Sequence, residues 1–337
     1  MKRFLLLVLI ASTLVLNTAQ SAERPEIKVM AYNIMQLPMI AGNWDQQQRA
    51  AHLPDAIRAM NEQPDVIIFS EVINDYADTA VNDMADMYPY RTPILGQVCH
   101  GGDWDSIQGD CSNAVTVVRG GVVIASKYPI VEQHAYVFYN TIFGSADYQA
   151  NKGAVYAEID INGYRYHLVG THLQATHDES ADDEHTTRMN QLDEINDWLQ
   201  QFNISSNEPL IFGGDFNVDF ALADQVNDML QHADTNLWYQ FDGTGSYPED
   251  NWMSRSYNYH YGYDMCYNDT LDYVMTHRDH LQPSQPAQQS VIPLKATESW
   301  YWYYLYGNWP LCSGDYFHNG YTRDLSDHYP VVATYSY

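Results

Sequence analysis

The chain has 337 residues and 45% hydrophobic content, enough for one large domain or two ordinary ones and too apolar for a disordered polypeptide. With 43 acidic and 16 basic residues its formal charge is −27. Such a surface repels phosphate backbones at long range, which argues against non-specific nucleic-acid binding but leaves room for a cation-assisted nuclease.

The first residues read as a signal peptide over positions 1–22. Lys2-Arg3 is a basic start, residues 4–16 are mostly apolar and short for a bilayer span, and Ala19, Ser21 and Ala22 suit a signal peptidase. A membrane anchor is the alternative. Residues 23–337 are then expected to form a single domain in an exported protein, secreted or retained in a periplasm. Export admits disulfides. Of the three connectivities that four cysteines allow, Cys99–Cys111 and Cys266–Cys312 are expected; the spacing does not suit zinc.

Along the chain, residues 27–30 (IKVM) start a strand that delivers Asn33. A helix is expected over 46–61, and a buried strand over 65–69 delivers Ser70-Glu71. Residues 77–87 read as helical and 96–113 as a Gly/Asp-rich loop. Strands follow at 122–126 and 153–159, and Gly163 turns the second of these into 164–169 as a hairpin. That strand ends in His172. An acidic loop is expected at 178–184, then a helix over 186–202 with Met189, Leu192, Ile195 and Leu199 on one face.

Residues 210–219, LIFGGDFNVD, organise what remains. An apolar run reads as a buried strand, Gly213-Gly214 lets the backbone turn, and Asp215 and Asn217 at i and i+2 face one side. A helix is expected over 221–233, an aromatic and polar loop region over 243–269, and a strand over 270–275 carrying Asp272. Residues 282–289 read as an exposed loop. Seven of the ten residues in WYWYYLYGNW, 300–309, are aromatic. Both faces of such a hairpin are hard to bury, so it is expected to meet a membrane interface. Asp327-His328 precedes the last strand.

Strand ends therefore present Asn33, Glu71, His172, Asp215 with Asn217, Asp272, and Asp327 with His328. Oxygen ligands without thiolates suit Mg2+ or Mn2+ better than zinc. Two histidines can serve as base and acid, each steadied by a carboxylate. The set suits hydrolysis of a phosphate ester. No P-loop supports nucleotide-driven transfer, and no G-x-S-x-G supports a lipase-type serine.

The ordered pieces AYNIMQLP, DVIIFSEV, GTHLQA, GGDFNVD, TLDYVM and SDHYPV resemble the endonuclease/exonuclease/phosphatase superfamily over nearly all of residues 23–337. Within it, GGVVIASKYPI, NKGAVY, GTHLQA, the aromatic segment from Ser299-Trp300 and SDHYPV resemble the secreted bacterial neutral sphingomyelinases. The resemblance implies a four-layer α/β sandwich, two mixed β-sheets packed face to face with helices outside. It implies Mg2+, with Mn2+ or Co2+ as substitutes, held mainly by Glu71 with Asn33 nearby. His328 would be the general base, oriented by Asp272 or supported by Asp327. His172 would assist the leaving oxygen or the phosphoryl group, and Asp215 and Asn217 would position water and phosphate. Asp147 matches a further acidic site residue. Trp300, Tyr301, Trp302 and Tyr303 would belong to a membrane-contacting hairpin around 299–312. One departure is Val118-Arg119 before Gly120-Gly121, where related enzymes carry acids of an edge metal site; Asp75 stays near the matching helix, and Arg119 is expected to take the place of that site's charge by salt-bridging.

The expected activity is hydrolysis of sphingomyelin to ceramide and phosphocholine by a monomer at a membrane surface, with no nucleic-acid partner. Alternatives are a secreted deoxyribonuclease of the same superfamily, a broader phospholipase C, and a non-enzymatic membrane-binding toxin component.

Overall fold

The alternation of side chains along the first strand sets the layering. The computed structural model describes residues 23–176, 181–302, 307–308, 317–318 and 320–337. In Ile27–Gln36, Met30, Tyr32 and Ile34 pack into one core cluster, whereas Val29 and Ala31 pack into another. Successive strand residues point to opposite faces, so a strand buried on both faces reads as a continuous apolar run. Val66–Val72 repeats the pattern: Ile67 and Phe69 face the first cluster, Val66 and Ile68 the second.

The first sheet runs Ser290–Val291, Val331–Tyr335, Ile27–Gln36, Val66–Val72, Val123–Ser126, Tyr90–Arg91. The second runs Thr235–Asn236, Asp272–His277, Leu210–Asp215, Tyr164–His172, Gly153–Ile161, Ile130–Val137, Ser106–Gly109. Both are mixed: Ile27–Gln36 is parallel to Val66–Val72 and antiparallel to Val331–Tyr335, and Leu210–Asp215 is parallel to Tyr164–His172 and antiparallel to Asp272–His277. The central core lies between the sheets, where Ala31 and Ile68 meet Leu168, Ile211 and Val274. Helices Gln46–Arg58 and Asp75–Asn82 cover the outer face of the first sheet, and Ala181–Leu199 and Ala223–His232 that of the second. This is the expected four-layer α/β sandwich.

Two glycines set how closely the sheets approach. A Cβ on Gly170 or Gly213 would stand 2.7 Å from a methyl of Ile68 on the facing sheet. Both are directly followed by the stretch that leads into the site.

Several local expectations change. The acidic stretch enters the helix Ala181–Leu199, with Asp182, Asp183 and Glu184 in its first turn, where the helix dipole favours negative charge. The aromatic region conceals the helix Trp252–Tyr261, started by Asn251, whose side chain accepts from the backbone N–H groups of Met253 and Ser254. Its tyrosines favour strands intrinsically, and capping outweighs them. The Gly/Asp-rich loop holds a short strand, Ser106–Gly109, paired with Ile130–Val137. Cys99 and Cys111 form a disulfide. Cys266 is also disulfide-bonded; Cys312, its expected partner, lies outside the described residues, as do the expected signal peptide and Tyr303.

Of the aromatic segment 300–309, the structure describes 300–302 and 307–308. Trp300 and Trp302 are buried and Tyr301 is exposed, so the strand Lys295–Tyr301 turns one face inward. The Trp300 ring stacks on His52 at 4.9 Å and its Nε1–H donates to Asp45. The Trp302 ring lies 6.0 Å from Trp44. These two tryptophans pack into the first core cluster, and Tyr301 between them is exposed.

Candidate active site

Strand register builds one row of functional side chains. Asp215 is the Cα partner of His172 on one neighbouring strand and of Asp272 on the other. Residues level with one another across a sheet project to the same face, so His172, Asp215 and Asp272 present together. Across the sandwich, Asn33 and Ser70 are level on the two parallel strands of the first sheet. That sheet is irregular at its end: the first strand bulges between Asn33 and Gln36, with Met35 at φ 47° and Glu71 at φ 59°. Left-handed backbone at a non-glycine residue costs energy and persists where surrounding structure enforces it. Asn217, at φ 51°, is the third such residue at the site.

Hydrogen bonds tie the two sheets together here. Asn33 Nδ2 donates to Glu71 Oε1 at 3.0 Å and to Asp215 Oδ2 at 2.9 Å. Its Oδ1 accepts from Met35 N, so Asn33 turns its nitrogen, not its oxygen, into the site. Asn217 N donates to Asp215 Oδ1 at 2.9 Å, and Asn217 Nδ2 donates to the Leu173 carbonyl at 3.1 Å.

His328 Nδ1 lies 2.7 Å from Asp272 Oδ2, which also accepts from Ser246 Oγ at 2.7 Å. Its Nε2 stands 3.9 Å from Asp215 Oδ2 and 4.0 Å from Asp327 Oδ1. Asp272 therefore orients the ring, and Asp327 adds charge without a hydrogen bond to it. Burial opposes the imidazolium, but the carboxylates of Asp272, Asp327 and Asp215 overcome it and hold His328 well above its ordinary value. His172 Nε2 lies 3.7 Å from Asp215 Oδ2 and 3.1 Å from Lys152 Nζ.

Lys152 is the residue that sequence reasoning passed over. It is buried, and its Nζ donates to the Leu173 carbonyl at 3.0 Å and pairs with Asp147 Oδ2 at 2.8 Å. A lysine kept from water needs such a partner, which accounts for Asp147. Asp147 also accepts from Ala175 N. Asp147 thus steadies Lys152 and the chain after His172 and stands one residue removed from the histidine itself. Ser246 was missed as well, hidden in the aromatic and polar region.

The site opens into a cavity of about 300 Å³, lined among others by Glu71, His172, Asp215, Asn217, Asp327 and His328. One carboxylate oxygen there, Glu71 Oε2, is buried with no hydrogen-bond partner among the described residues, and so is Asp272 Oδ1. Buried oxygens without donors are costly unless a cation meets them. Burial, followed by the charge of Asp327, pushes the Glu71 carboxyl up to about 7. Among the described residues, Asp215, Asp272 and His328 also bring ligand-type atoms within 4.8 Å of one another. The donor set, mostly oxygen and rich in carboxylates, fits a magnesium-like ion. Away from this centre, Arg119 lies 3.6 Å from Asp75 and donates to the Ile73 carbonyl, so a fixed cation occupies the edge of the site.

Comparison with known proteins agrees with this geometry. The chain is 31% identical over 336 residues to a phospholipase C of Staphylococcus aureus, covering 97% of this chain and 93% of the relative. It is 32% identical over 326 residues to sphingomyelinase C of Listeria ivanovii, covering 94% and 89%. A crystal structure of beta toxin from Staphylococcus aureus with bound magnesium ions superposes with a TM-score of 0.77 at 31% identity, over 93% of this chain and all of that one. The sphingomyelinase C structure from Streptomyces griseocarneus gives 0.74 at 30% identity, over 93% of this chain and 100% of that one. The family model for the endonuclease/exonuclease/phosphatase family matches residues 40–328. With that match covering most of the chain and relatives at 31–32% identity over nearly its full length, the chain is a phosphodiesterase belonging to the endonuclease/exonuclease/phosphatase family.

Proposed function

We propose that this protein is an exported, magnesium-dependent sphingomyelin phosphodiesterase that releases ceramide and phosphocholine. The observation that carries the reading is the His328–Asp272 pair facing Asp215, with the buried Glu71 oxygen linked to Asp215 through the Asn33 amide. The names of the relatives support the lipid substrate, and the Cys99–Cys111 disulfide fits an oxidising compartment.

Glu71 would hold the cation through its buried oxygen, and Asn33 would join it by turning its amide over. When bound, a divalent cation neutralises phosphoryl oxygens and offsets the negative field that keeps His328 protonated. His328 Nε2, with Nδ1 committed to Asp272, then takes the proton from an attacking water. Asp215 and Asn217 orient that water and the phosphate. His172, whose Nε2 accepts from the Lys152 ammonium beside Asp215, would with that ammonium stabilise the charge developing on the departing alkoxide.

The test is phosphocholine release from sphingomyelin vesicles by the protein lacking its first 22 residues. Release is expected with Mg2+, to vanish in EDTA, and to fall at least about a hundredfold in His328→Ala. Plasmid nicking without phosphocholine release would move the function to a deoxyribonuclease. Membrane lysis that survives both EDTA and His328→Ala would make the protein a non-enzymatic toxin component.

A further inference from the structure

Part of the cavity wall, beside the catalytic row, is made of tyrosine. Tyr247, Tyr257, Tyr263 and Tyr267 line it. The last three come from the alternating run Tyr257, Tyr259, Tyr261, Tyr263 and from Tyr267 just beyond it. The helix Trp252–Tyr261 and the turn after it bring them to one place, and the Tyr247 ring sits 5.0 Å from that of His328 and 5.7 Å from that of Tyr267. The wall is held in place: Tyr247 donates its hydroxyl to Asn258 Oδ1 at 2.8 Å, Asn258 Nδ2 donates to the Asp264 carbonyl at 2.9 Å, and Tyr267 hydrogen-bonds Asp219. Two of the four hydroxyls are thus used within the wall, and what those residues offer a ligand is the ring. Asp219 and Asp264 line the same cavity, and among the described residues neither lysine nor arginine does.

Four aromatic rings beside the Asp219 and Asp264 carboxylates form the environment that a quaternary ammonium prefers. Such a group is attracted by ring faces, cannot donate a hydrogen bond, and gains from diffuse negative charge. We propose that Tyr247, Tyr257, Tyr263 and Tyr267, with Asp219 and Asp264, form a subsite for a quaternary ammonium, which fixes the headgroup of the substrate. The inference rests on the phosphodiesterase reading above and narrows it: a choline ester is accepted, and its primary-amine counterpart, whose ammonium seeks hydrogen-bond acceptors, is disfavoured.

The experiment has two arms. In the first, tetramethylammonium binding to the Mg2+-loaded protein is followed by calorimetry for wild type, Tyr263→Leu, Tyr257→Leu and the ring-preserving Tyr263→Phe and Tyr257→Phe. Saturable binding is expected in wild type and the Phe variants and about tenfold weaker binding in the Leu variants. In the second, kcat/KM is compared for sphingomyelin and ceramide phosphoethanolamine in the same proteins. The preference for sphingomyelin should survive in the Phe variants and shrink about tenfold in the Leu variants. Thermal unfolding of each variant excludes loss of the fold as the cause. No tetramethylammonium binding to wild type, or an undiminished preference in both Leu variants, would overturn the subsite. Tyrosine-dependent binding without sphingomyelin hydrolysis would instead sink the substrate reading and leave the subsite standing.

Discussion

At the scale of single residues, two carboxylates compete for the role of orienting His328, and distance separates them. Asp272 Oδ2 is 2.7 Å from Nδ1, whereas Asp327 Oδ1 is 4.0 Å from Nε2. A hydrogen bond fixes a tautomer; a charge at the longer distance only raises the affinity for a proton. Asp272→Asn should therefore lower kcat at least about a hundredfold, and Asp327→Asn should cost clearly less. Steady-state kinetics on one soluble phosphodiester would check this, and equal losses would assign orientation to both. The sequence placed both acids near a histidine but left open which one holds it. Their order follows from Asp272 being level with Asp215 on the next strand, a relation that exists only once the sheet has paired.

At the scale of elements, the site depends on how Leu210–Asp215 seats itself between two neighbours. Gly214 has φ 145°, and a Cβ there would lie 1.9 Å from the Thr171 backbone oxygen on the adjacent strand. Backbone cannot yield as a side chain can, so Gly214→Ala should destabilise the protein by roughly 3 kcal/mol or more and spoil the His172–Asp215 alignment. Denaturant unfolding followed by circular dichroism would measure it; a loss below about 1 kcal/mol would show that the strand can shift. The apolar run and the paired glycines made this strand legible from the sequence. The helix Trp252–Tyr261 was not, because a run of tyrosines carries no helical periodicity. Its cap, Asn251, does its work only with Asn251 Nδ2 bound to the Ser326 carbonyl, far along the chain. The inward packing of the aromatic strand was hidden for a related reason. Its tryptophans point inward at alternate positions, and the partners that receive them, Trp44 and His52, lie some 250 residues earlier in sequence.

At the scale of the whole molecule, the charge of −27 acts beyond any one contact. An acidic body is repelled by an anionic bilayer and not by a zwitterionic one. At low ionic strength, adding anionic lipid to sphingomyelin vesicles should slow hydrolysis, and raising salt to about 0.15 M, where the Debye length is near 8 Å, should restore much of the rate. Initial rates on vesicles of graded anionic content would test this, and acceleration by anionic lipid would contradict it.

The sequence by itself determined which chemistry the chain could carry. Strand ends bearing Asn33, Glu71, His172, Asp215, Asn217, Asp272 and His328 could be read from local apolar runs and the polar residues that terminate them, because a strand interior and its exit are local properties. The order of those pieces was enough to indicate the layered sandwich. Only the tertiary structure decided what each residue faces. The Asn33 amide bridging Glu71 and Asp215, the Lys152 ammonium beside His172, the Arg119–Asp75 pair at the edge and the tyrosine wall all join segments distant in sequence. Such contacts depend on strand register and on the close approach of two sheets at Gly170 and Gly213, and neither is encoded in any single stretch of the chain.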